Sequence, residues 1–89
     1  MKVSLDEIKE IFNDLIDGKK SREEVAAWAY TRESVNDYDD LEYDPPYEES
    51  RIWESLLYLV GVDLRDIDGS YLHSIENFIE FKREINIDV

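Results

Sequence analysis

Residues 52–74, IWESLLYLVGVDLRDIDGSYLHS, constrain the fold most, because the densest apolar run in the chain breaks there into a turn-rich loop. Ile52, Trp53, Leu56, Leu57, Leu59 and Val60 recur at three-, four- and seven-residue spacings, which puts them on one broad helical face. Asp44-Pro45-Pro46 upstream is a start signal, since proline fits a first helical turn where its missing N–H costs nothing. Gly61 is the expected stop, in the left-handed conformation that commonly closes a helix. The loop after it alternates hydrophobes and charges, so Val62, Leu64 and Ile67 are expected to fold back on the core. A small hairpin over 62–72 is the alternative.

Other helices announce themselves by their caps. Ser4-Leu5-Asp6-Glu7 and Ser21-Arg22-Glu23-Glu24 both have the capping-box pattern, in which hydroxyl and carboxylate satisfy first-turn N–H groups. After the first box, Leu5, Ile8, Ile11, Phe12, Leu15 and Ile16 form an apolar stripe that Gly18 ends. After the second, Val25, Ala26, Trp28 and Ala29 give an inner face, and the short link between them predicts a helical hairpin. Ser74 caps a last helix carrying Ile75, Phe78, Ile79, Lys82 and Ile85. The expectation is an all-α, four-helix bundle, near residues 4–17, 22–34, 47–60 and 75–85, with one long acidic connection. Its core would centre on Ile8, Phe12, Leu15, Trp28, Trp53, Leu56, Leu57, Leu59 and Phe78.

At 89 residues the chain suits a single domain, 1–89, with one modest core. With 43% hydrophobic residues it has enough apolar surface to fold despite being 37% charged. There is no cysteine, so neither a disulfide scaffold nor a thiolate metal site can form. No stretch approaches the length of a membrane span, and acids stand where a signal peptide needs an apolar run, so a cytoplasmic location is expected.

The net charge of −13 comes from 23 acids against 10 bases. It argues against nucleic acid as a partner, which is held by Lys and Arg, and against anionic membrane surfaces. It favours a basic protein partner, although acidity also serves solubility alone. The acids concentrate in the long connection, where Asp37, Asp39, Asp40, Glu42, Asp44, Glu48 and Glu49 appear without a base and interleave with Tyr38, Tyr43 and Tyr47. Tyrosine buries a flat surface while its hydroxyl keeps a hydrogen bond, and surrounding carboxylates steer a cationic partner. These ten residues form the candidate partner-binding face; connections between helices are also commonly acidic with no partner at all.

No constellation for catalysis is present, so no enzyme, metal or cofactor is expected. A calcium loop aligned on Gly69 would put Leu64 and Ile75 at ligand positions, which leaves Asp63, Asp66 and Asp68 as turn residues. His73 is the lone histidine, beside Ser70 and Ser74, and suits a helix start better than a catalytic base.

The run 21–29 (SREEVAAWA), then Trp53-Glu54 with Leu56 and Leu59, Gly61-Val62-Asp63-Leu64 and Gly69-Ser70-Tyr71-Leu72-His73, resembles a family of small uncharacterised bacterial proteins. That resemblance implies one bacterial helical domain and transfers no catalytic residue. In size, acidity and helical layout the chain is also similar to immunity proteins of nuclease bacteriocins. This likeness implies an immunity role, in which the acidic face fills the phosphate-binding groove of a nuclease toxin. A small adaptor or regulatory protein is the alternative.

Overall fold

The structure, a computed structural model, describes residues 1–36 and 41–86. In chain order it comprises β1 (Lys2–Ser4), α1 (Leu5–Ile16), α2 (Arg22–Asn36), β2 (Glu42–Asp44), a 3-10 turn (Pro46–Glu48), α3 (Glu49–Val60) and α4 (Ile75–Glu84). The helices lie where the spacing places them, but the all-α expectation is overturned by a two-stranded parallel sheet. In it Lys2 faces Glu42, Val3 faces Tyr43 and Ser4 faces Asp44. The strands alternate as a half-buried sheet requires, with Val3 fully buried and its neighbours Lys2 and Ser4 less so. Three-residue strands some forty positions apart are too short for their alternation to stand out in the sequence.

The caps act as their sequences imply. The Ser4 hydroxyl accepts from Glu7 N–H at 3.0 Å at the start of α1. At α2, Ser21 Oγ accepts from Glu24 N–H while Glu24 Oε1 accepts from Ser21 N–H, which closes the box. Ser74 and Asn77 do the same for α4. Gly18 follows α1 at φ 75°, the left-handed region that favours glycine, and Lys19 N–H returns to Asp14 O at 2.8 Å. Gly61 departs from expectation: its φ is −101°, open to any residue. Its lack of a side chain matters instead for space, because a Cβ there would stand 3.2 Å from Leu64 Cδ1. The Asp44 carboxylate lies 3.8 Å from Lys2 Nζ.

The core gathers Val3, Ile8, Phe12, Val25, Ala29, Ile52, Leu56, Leu59, Val62 and Phe78, all fully buried. Each of these Val, Leu, Ile and Phe side chains contributes about 1.5–3 kcal/mol of transfer free energy, and Ala29 less. Leu57, expected in this core, is 49% exposed, and Trp28 and Trp53 are only partly buried against it. The α3 face turned to α1, α2 and α4 is occupied by Ile52, Ser55, Leu56 and Leu59, which leaves Leu57 outside. The buried Ser55 hydroxyl donates to Arg51 O one turn back. An aromatic cluster joins three helices: Tyr58 of α3 stacks on Phe81 of α4 at 3.9 Å, and Phe81 in turn meets Phe12 of α1 at 5.7 Å. The expected pairing of α1 with α2 is corrected in emphasis, since α2 packs chiefly on α3.

Arg51 ties α3 to the end of α4. Arg51 Nε donates to Ile85 O at 2.9 Å and its guanidinium also reaches Asn86 O and Glu48, so a side chain of α3 satisfies the open carbonyls at the end of α4. The loop after α3 forms a narrow turn. Arg65 and Tyr71 make an isolated antiparallel bridge, and Leu72 N–H donates to Leu64 O at 2.8 Å. Gly69 supplies the bend at φ 88°.

Candidate functional site

The acidic connection enters the described residues at Leu41, which is buried and anchors it to the core. Asp37, Tyr38, Asp39 and Asp40 of the candidate face lie outside the described residues. In β2 the pleat turns Tyr43 inward and leaves Glu42 and Asp44 exposed. Burial raises the Tyr43 hydroxyl above its ordinary pKa, and the nearby Glu49 carboxylate adds to that shift. Tyr43, Glu49, Ser50 and Trp53 line a shallow recess, with Tyr47 on the adjoining turn 85% exposed. Two of the candidate carboxylates are already engaged inside the chain: Glu48 with Arg51, and Asp44 with Lys2. Among the described residues of the face, the carboxylates left to meet a partner are therefore Glu42 and Glu49.

The sheet extends this acidic face in a way the sequence did not announce. Pairing Ser4 with Asp44 brings the connection against the start of α1, so that Asp44, Asp6, Glu7 and Glu10 line one groove with Lys2 and Ser4. Glu7 and Glu10 also line the next recess, with Asp14, Lys20 and Trp28. The acidic surface thus runs from β2 along the outer side of α1. The spacing of Asp6, Glu10 and Asp14 by four residues is visible in the sequence, but its junction with Asp44 depends on the parallel pairing. Beside Trp28, Arg32 stacks on the indole at 4.1 Å and donates to Trp28 O. Burial lowers the guanidinium's pKa while the Glu7 carboxylate opposes the shift.

The cations are mostly committed. Arg22 stacks on Tyr71 at 4.2 Å and on Phe78 at 4.8 Å, and donates to His73 O. Arg65 covers the other contact to the same tyrosine at 4.2 Å, and donates to Gly69 O and to the Tyr71 hydroxyl. That hydroxyl lies 2.8 Å from Glu23 Oε2, and this hydrogen bond raises the Tyr71 pKa. Lys82 is buried, with its ammonium donating to Asn13 Oδ1 at 2.7 Å. Of the 10 bases, Lys9, Lys19, Lys20 and Arg83 have side chains that make no hydrogen bond or ion pair with the described residues.

His73 sits where the loop meets α4, its ring 5.3 Å from Tyr58 and its carbonyl held by Arg22. Asp68 is a turn residue: its carboxylate accepts from both the N–H and the hydroxyl of Ser70, which lowers its pKa. Among the described residues, no group of three His, Cys, Asp or Glu is placed to hold a metal ion. No helix among them is long and apolar enough to cross a membrane.

A family model described as "YxzC DNA-binding protein" matches residues 2–85, which takes in every strand and helix. The chain belongs to this family. It is 35% identical over 80 residues to "Uncharacterized protein YxzC" of Bacillus subtilis (strain 168), an alignment that covers 90% of this chain and 57% of that relative. The chain thus spans little more than half the length of the curated relative it matches. No solved structure matches. The resemblance to a small uncharacterised bacterial family is confirmed by the YxzC family and its bacterial relative, whereas neither description mentions immunity. The partner set expected from charge, which left out nucleic acid, is corrected: the YxzC family is described as DNA-binding. Net charge is a property of the whole surface, and it does not exclude a local contact with phosphate or a contact made within a larger complex.

Proposed function

We propose that this chain takes part in DNA binding as a non-enzymatic, acidic accessory domain. It makes a weak contact of its own with phosphate and associates with a cationic protein bound to the same DNA. The observation that carries this reading is the family match over residues 2–85, since it includes the whole described fold. The manner of binding is supported by the placement of charge. Phosphate contact relies on cations that are free to displace counterions, and those with no partner among the described residues are Lys9, Lys19, Lys20 and Arg83, with Lys20 among Glu7, Glu10 and Asp14. Against them stands a net charge of −13, which attracts the basic proteins that populate DNA.

The test is fluorescence anisotropy with labelled chain and a mixed-sequence duplex, alone and preloaded with a lysine-rich DNA-compacting protein. The expected result is at least tenfold tighter association with the preloaded duplex than with bare DNA. Equal affinity for both, or no association with either, contradicts the reading. The immunity version, in which the acidic face fills the phosphate-binding groove of a nuclease toxin, rests on size and acidity; it predicts that the chain displaces a labelled duplex from such a nuclease, and co-binding with the duplex contradicts it.

A further inference from the structure

The outer side of α2 and α3 carries apolar side chains that the core does not use. Tyr30 of α2 is 61% exposed, Leu57 of α3 49% and Leu64 of the following loop 52%. Leu57 and Leu64 are neighbours through Gly61, and Tyr30 adjoins Leu57 by way of Val60, which lines a recess with Tyr30 and lies three residues after Leu57 on α3. Leu57 precedes Gly61 by one helical turn, and Leu64 Cδ1 lies over Gly61, close enough that any Cβ there would meet it at 3.2 Å. Across from this ridge, Ala27 and Tyr30 line a recess with Val60. Glu23 and Asp63 line the same recess, whose lining among the described residues includes no Lys or Arg; Arg22 and Arg65 are drawn to the Tyr71 ring beyond Glu23. This is an apolar strip with an acidic rim.

We propose that the strip is the docking surface for a cationic amphipathic helix of a protein partner, with leucine-type side chains seated between Tyr30 and Leu57 and flanking Lys or Arg side chains meeting Glu23 and Asp63. The inference rests on the accessory reading above and names the face that reading uses. Charge selects the occupant. A second copy of this chain would bring another −13 and set Glu23 and Asp63 against their own equivalents, so like-charge repulsion disfavours self-association there. A partner with basic flanks removes that repulsion while its apolar stripe covers the exposed strip, the arrangement of a helix laid in a groove. The face is separate from the acidic connection, where Tyr43 and Trp53 are already packed against the core.

The experiment is a titration of the isotope-labelled full chain, followed by nuclear magnetic resonance, with three synthetic helix-forming peptides. One has a leucine stripe flanked by lysines, the second has serine in place of leucine, and the third has glutamate in place of lysine. Saturable binding of the leucine–lysine peptide is expected, with shifts concentrated at Ala27, Tyr30, Leu57, Val60 and Leu64. The other two peptides should bind at least tenfold more weakly. Tyr30→Ser and Leu57→Ser, both at exposed positions, should each weaken the first peptide by about tenfold without changing the fold seen by circular dichroism. Shifts centred on residues 41–49, equal binding of the serine peptide, or indifference to both substitutions overturns the docking face and leaves the accessory reading standing. Failure of every cationic peptide to bind overturns both.

Discussion

Tyr58 is the residue at which burial and polarity conflict most openly. Its ring stacks on Phe81 at 3.9 Å and meets Phe78 edge-on, yet its buried hydroxyl has no hydrogen-bond partner among the described residues. A buried hydroxyl without a partner costs about 1–3 kcal/mol in desolvation, so removing it loses nothing that a hydrogen bond had supplied. Tyr58→Phe should therefore leave stability unchanged or raise it by about 1 kcal/mol, read from urea unfolding. A loss above about 1 kcal/mol would mean that the hydroxyl is engaged. Burial first, then Glu84, raises its pKa above 10.0 in the folded chain. The unfolded chain therefore loses this proton at lower pH than the folded one does. The sign follows: stability held below about pH 10 is lost as pH rises from the unfolded towards the folded pKa. The Phe variant should lose less stability over that alkaline range than the parent.

At the scale of elements, the sheet is the test of how the acidic connection is held against β1. Val3 of β1 is fully buried and pairs with Tyr43, and through this contact β1 fixes where the acidic connection lies against α1. Val3→Ala should cost about 2 kcal/mol by lost transfer energy and the cavity left behind. It should also increase hydrogen exchange at Glu42, whose N–H donates to Met1 O at 2.7 Å. An unchanged exchange rate there would show that β2 is held without β1. The helices, by contrast, were legible in the sequence because each carries repeated information: Ile8, Phe12 and Leu15 mark a face, Ser4 and Ser74 mark starts, and Gly18 marks a stop. Leu57 was misplaced because the apolar stripe of α3 is wider than the space its neighbours fill, and periodicity does not say which edge of a wide stripe stays in solvent. Gly61 was misjudged for a related reason: the sequence shows a glycine but not whether dihedral freedom or the approach of Leu64 requires it.

For the whole molecule, the sequence reports how much charge there is and the fold decides where it is available. The tyrosine-rich acidic connection was visible as a candidate face, but Glu48 and Asp44 turn out to be engaged by Arg51 and Lys2, and the groove adds Asp6, Glu7 and Glu10 from α1. None of these pairings is local enough to be inferred from spacing, except Glu48 with Arg51 at three residues. The same holds for the bases, where stacking of Arg22 and Arg65 on Tyr71 and burial of Lys82 withdraw cations that composition alone would count as available. Net charge therefore misled on nucleic acid in one respect, the family's description, and the placement of cations bears on the contact with DNA proposed above. The most direct measurement is the salt dependence of binding between the chain alone and a labelled duplex, from about 20 to 200 mM monovalent salt. Each neutralised phosphate contributes a slope of about −0.9 in log K against log salt, so Lys9, Lys19, Lys20 and Arg83 together cap it near −3.6. Weak binding with a slope between zero and that value is the predicted result. Tight binding with a slope of about −6 or steeper contradicts it, because the chain alone would then be neutralising more phosphates than its uncommitted cations can reach.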